Sequence, residues 1–452
     1  MSMINAYDAA DDTGLAPREK DMIARRQRLL GPAYRLFYAN PVHLVRGEGV
    51  WLYDPQERAY LDMYNNVASV GHGHPHVVAA LARQAGLLNT HTRYLHDTVL
   101  DYAERLLGHF PPELAQVMFT CTGSEANDLA LRVAQVHTGG TGVIVTRLAY
   151  HGTTRATAEL SPSLGPSMAL GRHVRTVPAP DAYRGGEEDV GAAFARGVRD
   201  ALDDMAASGI RPAALLVDTV FSSDGVYADP PGFLAPAVAA IRAAGGLFIA
   251  DEVQPGFGRT GTGMWGFERH GLSPDIVTLG KPMGNGHPVA GMAARPEVLA
   301  EFGRKTRYFN TFGGNPVSAA VGMAVLEVIE GEGLVENARR VGEYLRDGLR
   351  ALGERHPVVG DVRGAGLFIG VELVRDRRTK EPATEETARL VNALRERRIL
   401  ISATGPAANV LKIRPPLVFS HENADLFLSV MDDLLGAHDP DRAGPPQPAR
   451  TT

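Results

Sequence analysis

Two residues of this sequence have side chains that together could hold a reactive aldehyde. Lys281 stands between a short apolar run, IVTL at 276–279, and a glycine-rich turn, which places one primary amine at the end of a predicted strand. Burial against apolar neighbours would lower the pKa of this amine, and the neutral amine is a nucleophile that can form a Schiff base with an aldehyde. The alternative is a lysine in a surface turn, which is the commoner place for a Gly-Lys pair.

A carboxylate is predicted at an equivalent strand end in the segment ADEVQPGFG at 250–258. The run LFIADEV at 247–253 is typical of a buried parallel strand, and the C-terminal ends of such strands face the ligand crevice of an open α/β sheet. Asp251 could there keep a pyridine nitrogen protonated, which pyridoxal phosphate needs in order to accept electrons. Alternatively, Asp251 is a capping or ion-paired residue, although its combination with Lys281 favours the chemical role.

Length and composition favour a soluble α/β enzyme with one large and one smaller domain. Of 452 residues, 44% are apolar, 22% are charged and 50 are glycine. The net charge of −6 comes without a dense basic run, so a nucleic-acid partner is not expected. Cys121 is the only cysteine, which excludes an internal disulfide and a cysteine-rich metal site. Because the N-terminus is acidic and no apolar run reaches about 18 residues, we expect a cytoplasmic protein without a membrane segment.

Helical and apolar segments alternate along the middle of the chain, which predicts an α/β fold with a mostly parallel central sheet flanked by helices. The predicted strands lie at 117–123, 142–148, 214–220, 246–253, 275–280 and 289–294. Upstream, the alternation in VHLVRGEGVWLYDPQERAYLDMYNN predicts an antiparallel meander, and strand-like segments return near the C-terminus. We therefore predict a large domain at 71–325 and a smaller α+β domain built from both chain ends, 1–70 and 326–438. The Pro-rich segment 439–452 is predicted to be a disordered tail.

A further signal is the strand, turn and helix pattern of TCTGSEANDLALRVAQVH. After Gly123 and Ser124, apolar residues recur at helical spacing, and backbone N–H groups at such a helix start can bind an anion. Ser124 could instead be only the N-cap of this helix. The Gly-Lys pair at 280–281 does not belong to a nucleotide phosphate loop, because Asp275 and Pro282 stand where that motif needs glycine and Ser/Thr.

Taken in order, these motifs resemble the class III aminotransferases among the fold type I pyridoxal-phosphate enzymes. The resemblance covers residues 20–435 and rests on TGSEANDLALRVA, AYHG, ADEVQPGFGRTG, TLGKPMGNG, TFGGNP and KIRPPL. It implies pyridoxal 5'-phosphate as the cofactor, with Lys281 as the Schiff-base lysine and Asp251 as the partner of the pyridine nitrogen. It also implies a homodimer with shared active sites, because Thr311 matches a phosphate ligand donated by the second subunit. The other residues that it implies at the cofactor are Gly123 and Ser124 at the phosphate, Tyr150 stacked on the ring, His151 beside it, Val253 on the opposite face and Gln254 near the phenolic oxygen.

Departures from the family pattern bear on the substrate. Amino-acid-specific members carry an arginine shortly after the AYHG aromatic residue to hold an α-carboxylate, and here it is missing, although Arg155 is near. The segment VDTVFSSDG places Ser223 where many members have a glutamate that neutralises the arginine matching Arg414. Arg414 would then be a free cation, suited to an acidic group on the substrate. Asn65 stands where amine-preferring members often have an aromatic residue, which would make the pocket wall polar.

Two further segments, MYNNVASVGHGHP and LLNTHTRYLHD, resemble one branch of the family, the ethanolamine-phosphate and phosphohydroxylysine phospho-lyases. Because a phosphate dianion needs several donors and cations, Arg93 and Lys412 are additional substrate-binding candidates, each of which could instead be a surface ion-pairing residue. The resemblance implies a phospho-lyase acting on a small anionic amine, with an ω-amine:2-oxo-acid aminotransferase as the alternative. A cofactor-binding protein without catalysis is a third hypothesis, which the presence of Lys281 and Asp251 disfavours. No metal site is expected at the histidines of GHGHPH, because acidic ligands at helical spacing are missing.

Overall fold

The computed structural model describes residues 5–8, 14–186 and 189–437; the predicted tail at 439–452 lies outside them. The strands are β1 Arg46–Glu48, β2 Trp51–Tyr53, β3 Ala59–Asp62, β4 Gln116–Thr120, β5 Gly142–Thr146, β6 Val174–Val177, β7 Pro212–Asp218, β8 Leu247–Asp251, β9 Ile276–Leu279, β10 Ala290–Ala294, β11 Val359–Ala365, β12 Phe368–Asp376, β13 Glu381–Pro382, β14 Ile399–Leu400, β15 Ser402–Thr404 and β16 Val410–Ile413. The α-helices are α1 Pro17–Leu30, α2 Pro75–Ala85, α3 Asp97–Leu107, α4 Gly123–Thr138, α5 Arg155–Ala158, α6 Val190–Ala207, α7 Ala235–Ala243, α8 Pro296–Lys305, α9 Pro316–Gly331, α10 Leu334–Arg355, α11 Thr384–Glu396 and α12 His421–Ala437. Of these helices, none has both the length and the apolar character that crossing a bilayer requires.

A seven-stranded sheet lies at the centre of the large part of the fold, in the order β4-β10-β9-β8-β7-β5-β6. Neighbouring strands from β9 to β6 are parallel, whereas β10 runs antiparallel to both β9 and β4. The prediction of a mostly parallel sheet is therefore confirmed, and each predicted strand corresponds to one of the seven. The sequence pattern misses β6 because this edge strand, VRTV, contains only two apolar residues.

Helices cover both faces of this sheet, so its strands are apolar on both sides. Successive residues of a strand point to opposite faces: Val143 and Val145 of β5 pack in one core, whereas Ile144 packs in the other. The first core includes residues of α4 and α8, and the second includes residues of α6 and α7. The prediction of a central sheet with helices on both faces is therefore confirmed.

Both ends of the chain contribute to smaller sheets. The strands β1, β2 and β3 form the predicted antiparallel meander, and β14 from the C-terminal part pairs in parallel with β3 through Ile399 and Leu61. A second small sheet, β11-β12-β16-β15, is antiparallel throughout, with β13 added to β12. The α+β part built from both chain ends is thus present, while the residue limits given for the domains stay predictions.

Helix α10 packs closely on the turn between β11 and β12. A Cβ atom added at Gly342 would lie 2.1 Å from the carbonyl oxygen of Gly366 in that turn. About one helical turn further along, Arg346 donates a hydrogen bond to the carbonyl oxygen of Gly364 at 2.7 Å. The approach of helix and turn therefore requires glycine at position 342.

We expect Gly342→Ala to lower the free energy of unfolding by about 1–3 kcal/mol, the usual cost of an extra methyl group in a packed contact. Gly303→Ala is the matched control, because Gly303 also lies in a helix but has nothing within 4 Å of an added Cβ. The control should raise stability by up to about 1 kcal/mol, since alanine favours helices. Chemical denaturation compares the two variants, and equal stability of both would contradict the close packing at position 342.

Candidate active site

The two predicted catalytic residues lie at the edge where the parallel strands end. Asp251 is the last residue of β8, and Lys281 follows β9 directly after Gly280. Since β8 and β9 are parallel neighbours, with Asp251 opposite Thr278, both ends open at the same edge of the sheet. One cleft at this edge is lined by both residues, by the predicted Gly123, Ser124, Tyr150, His151, Val253 and Gln254, and by Asn127, Gly152 and Asp218, which were not predicted.

A network of buried polar groups holds the carboxylate of Asp251. Its Oδ2 atom lies 2.7 Å from His151 Nδ1 and 3.0 Å from Asn127 Nδ2, and its Oδ1 atom accepts a hydrogen bond from the N–H of Val253 at 3.1 Å. With Asp251 ionised, the proton of His151 is on Nδ1, because a carboxylate only accepts. Asn127 is itself oriented by Thr278, whose hydroxyl donates to Asn127 Oδ1 at 2.7 Å. A buried carboxylate needs such donors, and here they fix its position through protein contacts alone.

The amine of Lys281 lies in surroundings that disfavour its charged form. Burial lowers its pKa, and the positive charge of Arg414 acts in the same direction, whereas the carboxylates of Asp251 and Asp218 oppose both effects. The net result is a pKa below the ordinary lysine value, so a larger fraction of the amine is neutral near neutral pH. The backbone of Lys281 has a φ of +29°, which residues other than glycine rarely adopt. The chain therefore turns sharply at Lys281, just after β9.

The start of α4 supplies two backbone N–H groups beside the cleft. Thr122 caps the helix: its hydroxyl accepts a hydrogen bond from the N–H of Glu125 at 3.2 Å, and the Glu125 carboxylate accepts one from the N–H of Thr122 at 3.0 Å. Within the part of the chain that the structure describes, the N–H groups of Gly123 and Ser124 have no partner. A helix start of this kind binds phosphate. A Cβ at Gly123 would lie 2.9 Å from Val253, so a larger residue would fill the cradle.

The alternative prediction that Ser124 caps α4 is wrong, because Thr122 has that position. The hydroxyl of Ser124 accepts a hydrogen bond from the N–H of Thr153 at 3.1 Å instead. The walls of the cleft include the aromatic ring of Tyr150, which is 37% exposed, and the buried side chain of Val253. The cleft thus combines free N–H groups, an aromatic and an apolar wall, a buried carboxylate and an amine with a lowered pKa. This set of groups fits pyridoxal phosphate.

Arg414 lies behind Gln254, and the prediction that it is a free cation is wrong in one respect. It makes no ion pair in the described parts of the chain, as expected with Ser223 in place of a glutamate. However, its Nη1 donates to Gln254 Oε1, and its guanidinium lies over the ring of Tyr64, 4.3 Å from the ring centroid. Gln254 in turn donates to the hydroxyl of Ser222. A neutral amide and an aromatic ring therefore hold this cation in place.

Asn65, Arg93 and Thr311 do not line the cleft in the single chain. The side chain of Asn65 closes its own turn, where Oδ1 accepts a hydrogen bond from the N–H of Val67 at 3.0 Å. The exposed Arg93 places its guanidinium 3.8 Å from the ring centroid of Phe309, and Thr311 is exposed on the same loop as Phe309. The roles given to these three residues stay predictions.

The histidines of GHGHPH contact separate carboxylates. His72 Nε2 lies 2.8 Å from Asp62, whereas the Nε2 atoms of His74 and His76 lie 3.0 Å and 2.6 Å from two different glutamates in and just after α9. Across residues 5–8, 14–186 and 189–437, no three histidine, cysteine or carboxylate side chains are close enough to share a metal ion.

Comparison with known proteins agrees with this geometry. The sequence profile described as "Aminotransferase class-III" matches residues 37–435. The chain belongs to the class III aminotransferase family. It is 41% identical over 430 residues to the Drosophila melanogaster "Alanine--glyoxylate aminotransferase 2-like" protein, covering 92% of this chain and 87% of that protein. It is 37% identical over 437 residues to the Caenorhabditis elegans "Ethanolamine-phosphate phospho-lyase homolog 1", covering 92% of this chain and 93% of that protein.

Solved structures give the same family and fold. A phospholyase from Arthrobacter in complex with phosphoethanolamine matches with a TM-score of 0.89 and 45% identity, covering 92% of this chain and 100% of that chain. An (S)-enantioselective omega-transaminase from Thermomicrobium roseum matches with a TM-score of 0.82 and 30% identity, covering 93% and 98% of the two chains. The protein is thus a pyridoxal-phosphate-dependent enzyme with the fold type I architecture that its sequence predicts.

Three polar residues of the site were not predicted from the sequence. Asn127 lies in the first turns of α4, Asp218 ends β7 and Thr278 lies in β9, and the two strands are otherwise apolar. A polar side chain at a buried position needs a hydrogen-bond partner. For Asp218 and Thr278, a polar residue in an otherwise apolar run is therefore the signal by which they could have been recognised, whereas the polar segment SEAND around Asn127 gives no such signal.

This arrangement can move a proton beside a bound amine. Pyridoxal phosphate, when bound, supplies a pyridinium ring that stabilises negative charge on the carbon next to the amino nitrogen. Asp251 would keep the ring nitrogen protonated, and the N–H groups of Gly123 and Ser124 would hold the phosphate. The neutral amine of Lys281 can accept a proton from the substrate and later return it.

We expect Asn127→Ala to raise the dissociation constant of pyridoxal phosphate about tenfold or more, because Asp251 loses a buried donor and a hydrogen bond to a charged group is worth about 1.5–3 kcal/mol. Asn409→Ala is the matched control: Asn409 is equally buried, but it donates to the carbonyl oxygen of Leu373 and does not line the cleft. The control should lose stability and keep its cofactor affinity. Absorbance titration of the apoenzymes measures both affinities, and equal values for the two variants would exclude a role of Asn127 in holding the cofactor.

Proposed function

We propose that this enzyme is a phospho-lyase that eliminates phosphate and ammonia from a small amino-phosphate, such as phosphoethanolamine, and leaves an aldehyde. The observation that carries the proposal is the state of Arg414. It is buried, makes no ion pair among the described residues and leaves its Nε atom without a hydrogen-bond partner. A buried guanidinium without a counter-ion is costly, so this side of the cleft suits a substrate that brings its own negative charge.

The residues in and directly behind the cleft have defined tasks in this reaction. Lys281 accepts the proton from the carbon that carries the amino group, and the electron pair left there expels phosphate from the neighbouring carbon. Water then releases the amine nitrogen, so phosphoethanolamine and water give acetaldehyde, ammonia and phosphate. Arg414 holds the phosphate group and stabilises the charge that it carries as it leaves. Because the amino group ends as ammonia, the reaction needs no amino acceptor.

Relatives support this proposal, but they also support a second candidate. The Arthrobacter protein is named as a phospholyase and the C. elegans protein as a phospho-lyase homolog, whereas the D. melanogaster protein is named as an alanine–glyoxylate aminotransferase 2-like protein. The second candidate is a transaminase that moves an amino group from an ω-amine or an amino acid to pyruvate or 2-oxoglutarate. Arg414 could bind the carboxylate of such a keto acid. The two candidates differ in one requirement, because only the transaminase needs a keto acid.

A homodimer is also part of the proposal. Beside Arg93 and the loop of Thr311, the side chains of Tyr94, Leu95 and Phe312 are 67%, 96% and 68% exposed. Large apolar side chains that are grouped and exposed mark a contact surface. A second subunit on this surface would bring Arg93 and Thr311 of one chain toward the cleft of the other, where Thr311 could bind the cofactor phosphate.

The substrate assay that separates the two candidates uses phosphoethanolamine without a keto acid. We expect the holoenzyme to release phosphate and ammonia in equal amounts, because elimination regenerates the cofactor without an acceptor. Phosphate is measured colorimetrically and ammonia by a coupled dehydrogenase assay, with Lys281→Ala as the inactive control. A strict requirement for pyruvate or 2-oxoglutarate would contradict the phospho-lyase and support the transaminase.

Removing the guanidinium of Arg414 should weaken the use of phosphorylated substrate. We expect Arg414→Ala to lower kcat/KM for phosphoethanolamine by an amount that corresponds to about 1.5–3 kcal/mol, the contribution of a charged hydrogen bond. Arg395→Ala is the matched control, since the Arg395 side chain is only 15% exposed and its partners, Glu396 and the carbonyl oxygen of Pro41, lie outside the cleft. Steady-state kinetics should leave the control close to wild type, and an unchanged Arg414→Ala enzyme would exclude Arg414 as the anion ligand.

A further inference from the structure

We propose that the carboxylate of Asp218 is the counter-ion of Lys281: its negative charge stabilises the ammonium group that forms when Lys281 accepts a proton from the substrate. Asp218 therefore acts on the reaction through Lys281. The inference goes beyond the proposed function, because Lys281 takes up a proton in the phospho-lyase and in the transaminase alike.

The central sheet places Asp218 beside the two catalytic residues. Asp218 and Asp251 end the neighbouring parallel strands β7 and β8, and they are direct partners across these strands. Asp251 is in turn the partner of Thr278 in β9, three residues before Lys281. Neighbouring strands of a sheet are only about 4.8 Å apart. Asp218, Asp251 and Lys281 accordingly line one and the same cleft.

The carboxylate of Asp218 is held in place by its own loop. Its Oδ1 atom accepts a hydrogen bond from the N–H of Val220 at 3.0 Å, and its Oδ2 atom accepts one from the N–H of Ser222 at 3.2 Å. The loop is fixed in turn, because the buried Arg363 donates to the carbonyl oxygen of Gly225 at 2.8 Å. Two N–H donors favour the ionised form of a carboxyl group. In the described parts of the chain, no cation forms an ion pair with this carboxylate.

The other carboxylate that lines the cleft already has a task. Asp251 is bonded to His151 and Asn127, and its place is opposite the pyridine nitrogen of the cofactor. The positive charge of Arg414 disfavours an ammonium group on Lys281, while Asp251 and Asp218 favour it. A buried ammonium group without a counter-ion is costly. Once Asp251 has paired with the cofactor, Asp218 is the carboxylate in the cleft that can offset the charge of Lys281.

The charges around Asp218 are consistent with this role. Burial raises the pKa of Asp218, and the charge of Asp251 acts in the same direction. The two hydrogen bonds from its loop and the positive charge of Lys412 oppose both effects. Lys412 is itself buried, and burial together with the charge of Arg414 lowers its pKa. Replacing the carboxylate by a neutral amide should therefore make a positive charge on Lys281 less stable.

The first test follows the charge on the Lys281 nitrogen in the holoenzyme, through the visible absorbance of the bound cofactor as the pH is raised. We expect Asp218→Asn to lower the pH of the absorbance change by about one unit or more, the usual effect of losing a nearby opposite charge. Asp218→Glu keeps the negative charge and should titrate close to wild type. An unchanged or higher pH for Asp218→Asn would overturn the proposal.

Asp224→Asn is the matched control, since Asp224 is a buried carboxylate of the same loop. It accepts hydrogen bonds from the hydroxyl of Thr146 at 2.7 Å and from the N–H of Leu148 at 3.1 Å, and it does not line the cleft. The control should titrate as wild type does, and a shift as large as that of Asp218→Asn would overturn the proposal. The melting temperature reports whether each variant is folded. If Asp218→Asn is not, Asp218→Ser replaces it with the same expectation.

The second test measures kcat against pH, with phosphoethanolamine as the substrate, or with L-alanine and 2-oxoglutarate if the enzyme requires a keto acid. Without the charge of Asp218, Lys281 becomes a weaker base that is neutral at lower pH. We expect the acidic limb of the profile to move down by about one pH unit in Asp218→Asn, together with a lower plateau rate. A loss of rate without movement of this limb would indicate a structural role only and would overturn the proposal.

The two tests separate failure of this inference from failure of the proposed function. The absorbance titration needs no substrate, so it decides the role of Asp218 even if wild-type enzyme releases no phosphate from phosphoethanolamine and the phospho-lyase is wrong. If wild-type enzyme does release phosphate but Asp218→Asn titrates as wild type does, the counter-ion is wrong and the phospho-lyase stands.

Discussion

The site depends on one constraint: charged groups of opposite sign are held at a single edge of the central sheet, largely withdrawn from water. Asp251 and Lys281 are each costly to bury alone. Asp251 is stabilised by His151 and Asn127. Burial lowers the pKa of Lys281, the charge of Arg414 lowers it further, and the nearby carboxylates only partly oppose both effects. Because β8 and β9 are buried parallel neighbours, the two side chains are positioned by the sheet, and the helices on both faces keep those strands in place.

How much of the structure can be predicted from the sequence depends on how far apart along the chain the interacting residues lie. The central strands are continuous apolar runs, and Lys281 and Asp251 are reactive side chains at the ends of such runs, so local pattern was sufficient for both. Asn127 could not be found in this way, because its partners Asp251 and Thr278 are 124 and 151 residues away. The cap of α4 does have a local signal, because Thr122 followed three residues later by Glu125 is the pattern of a capping box.

The substrate side of the cleft was the harder part to predict. Replacing a family glutamate by Ser223 correctly indicated that Arg414 has no carboxylate partner in the described chain. The sequence did not indicate that Gln254 and Tyr64 hold it instead, because neither contact has a periodic signature. An incoming anion therefore has to compete with a neutral amide for Arg414, which costs less than displacing a carboxylate. This difference in electrostatics, more than the fold, is the basis on which we propose an anionic, phosphorylated substrate.

The most direct test of the account is to locate the covalent attachment of the cofactor. Reducing the holoenzyme with sodium borohydride makes the linkage permanent, and mass spectrometry of a proteolytic digest identifies the lysine that carries the pyridoxyl phosphate group. We expect the modification on the peptide that contains Lys281. Attachment to Lys412 or any other lysine, or a digest without any modified peptide, would contradict it.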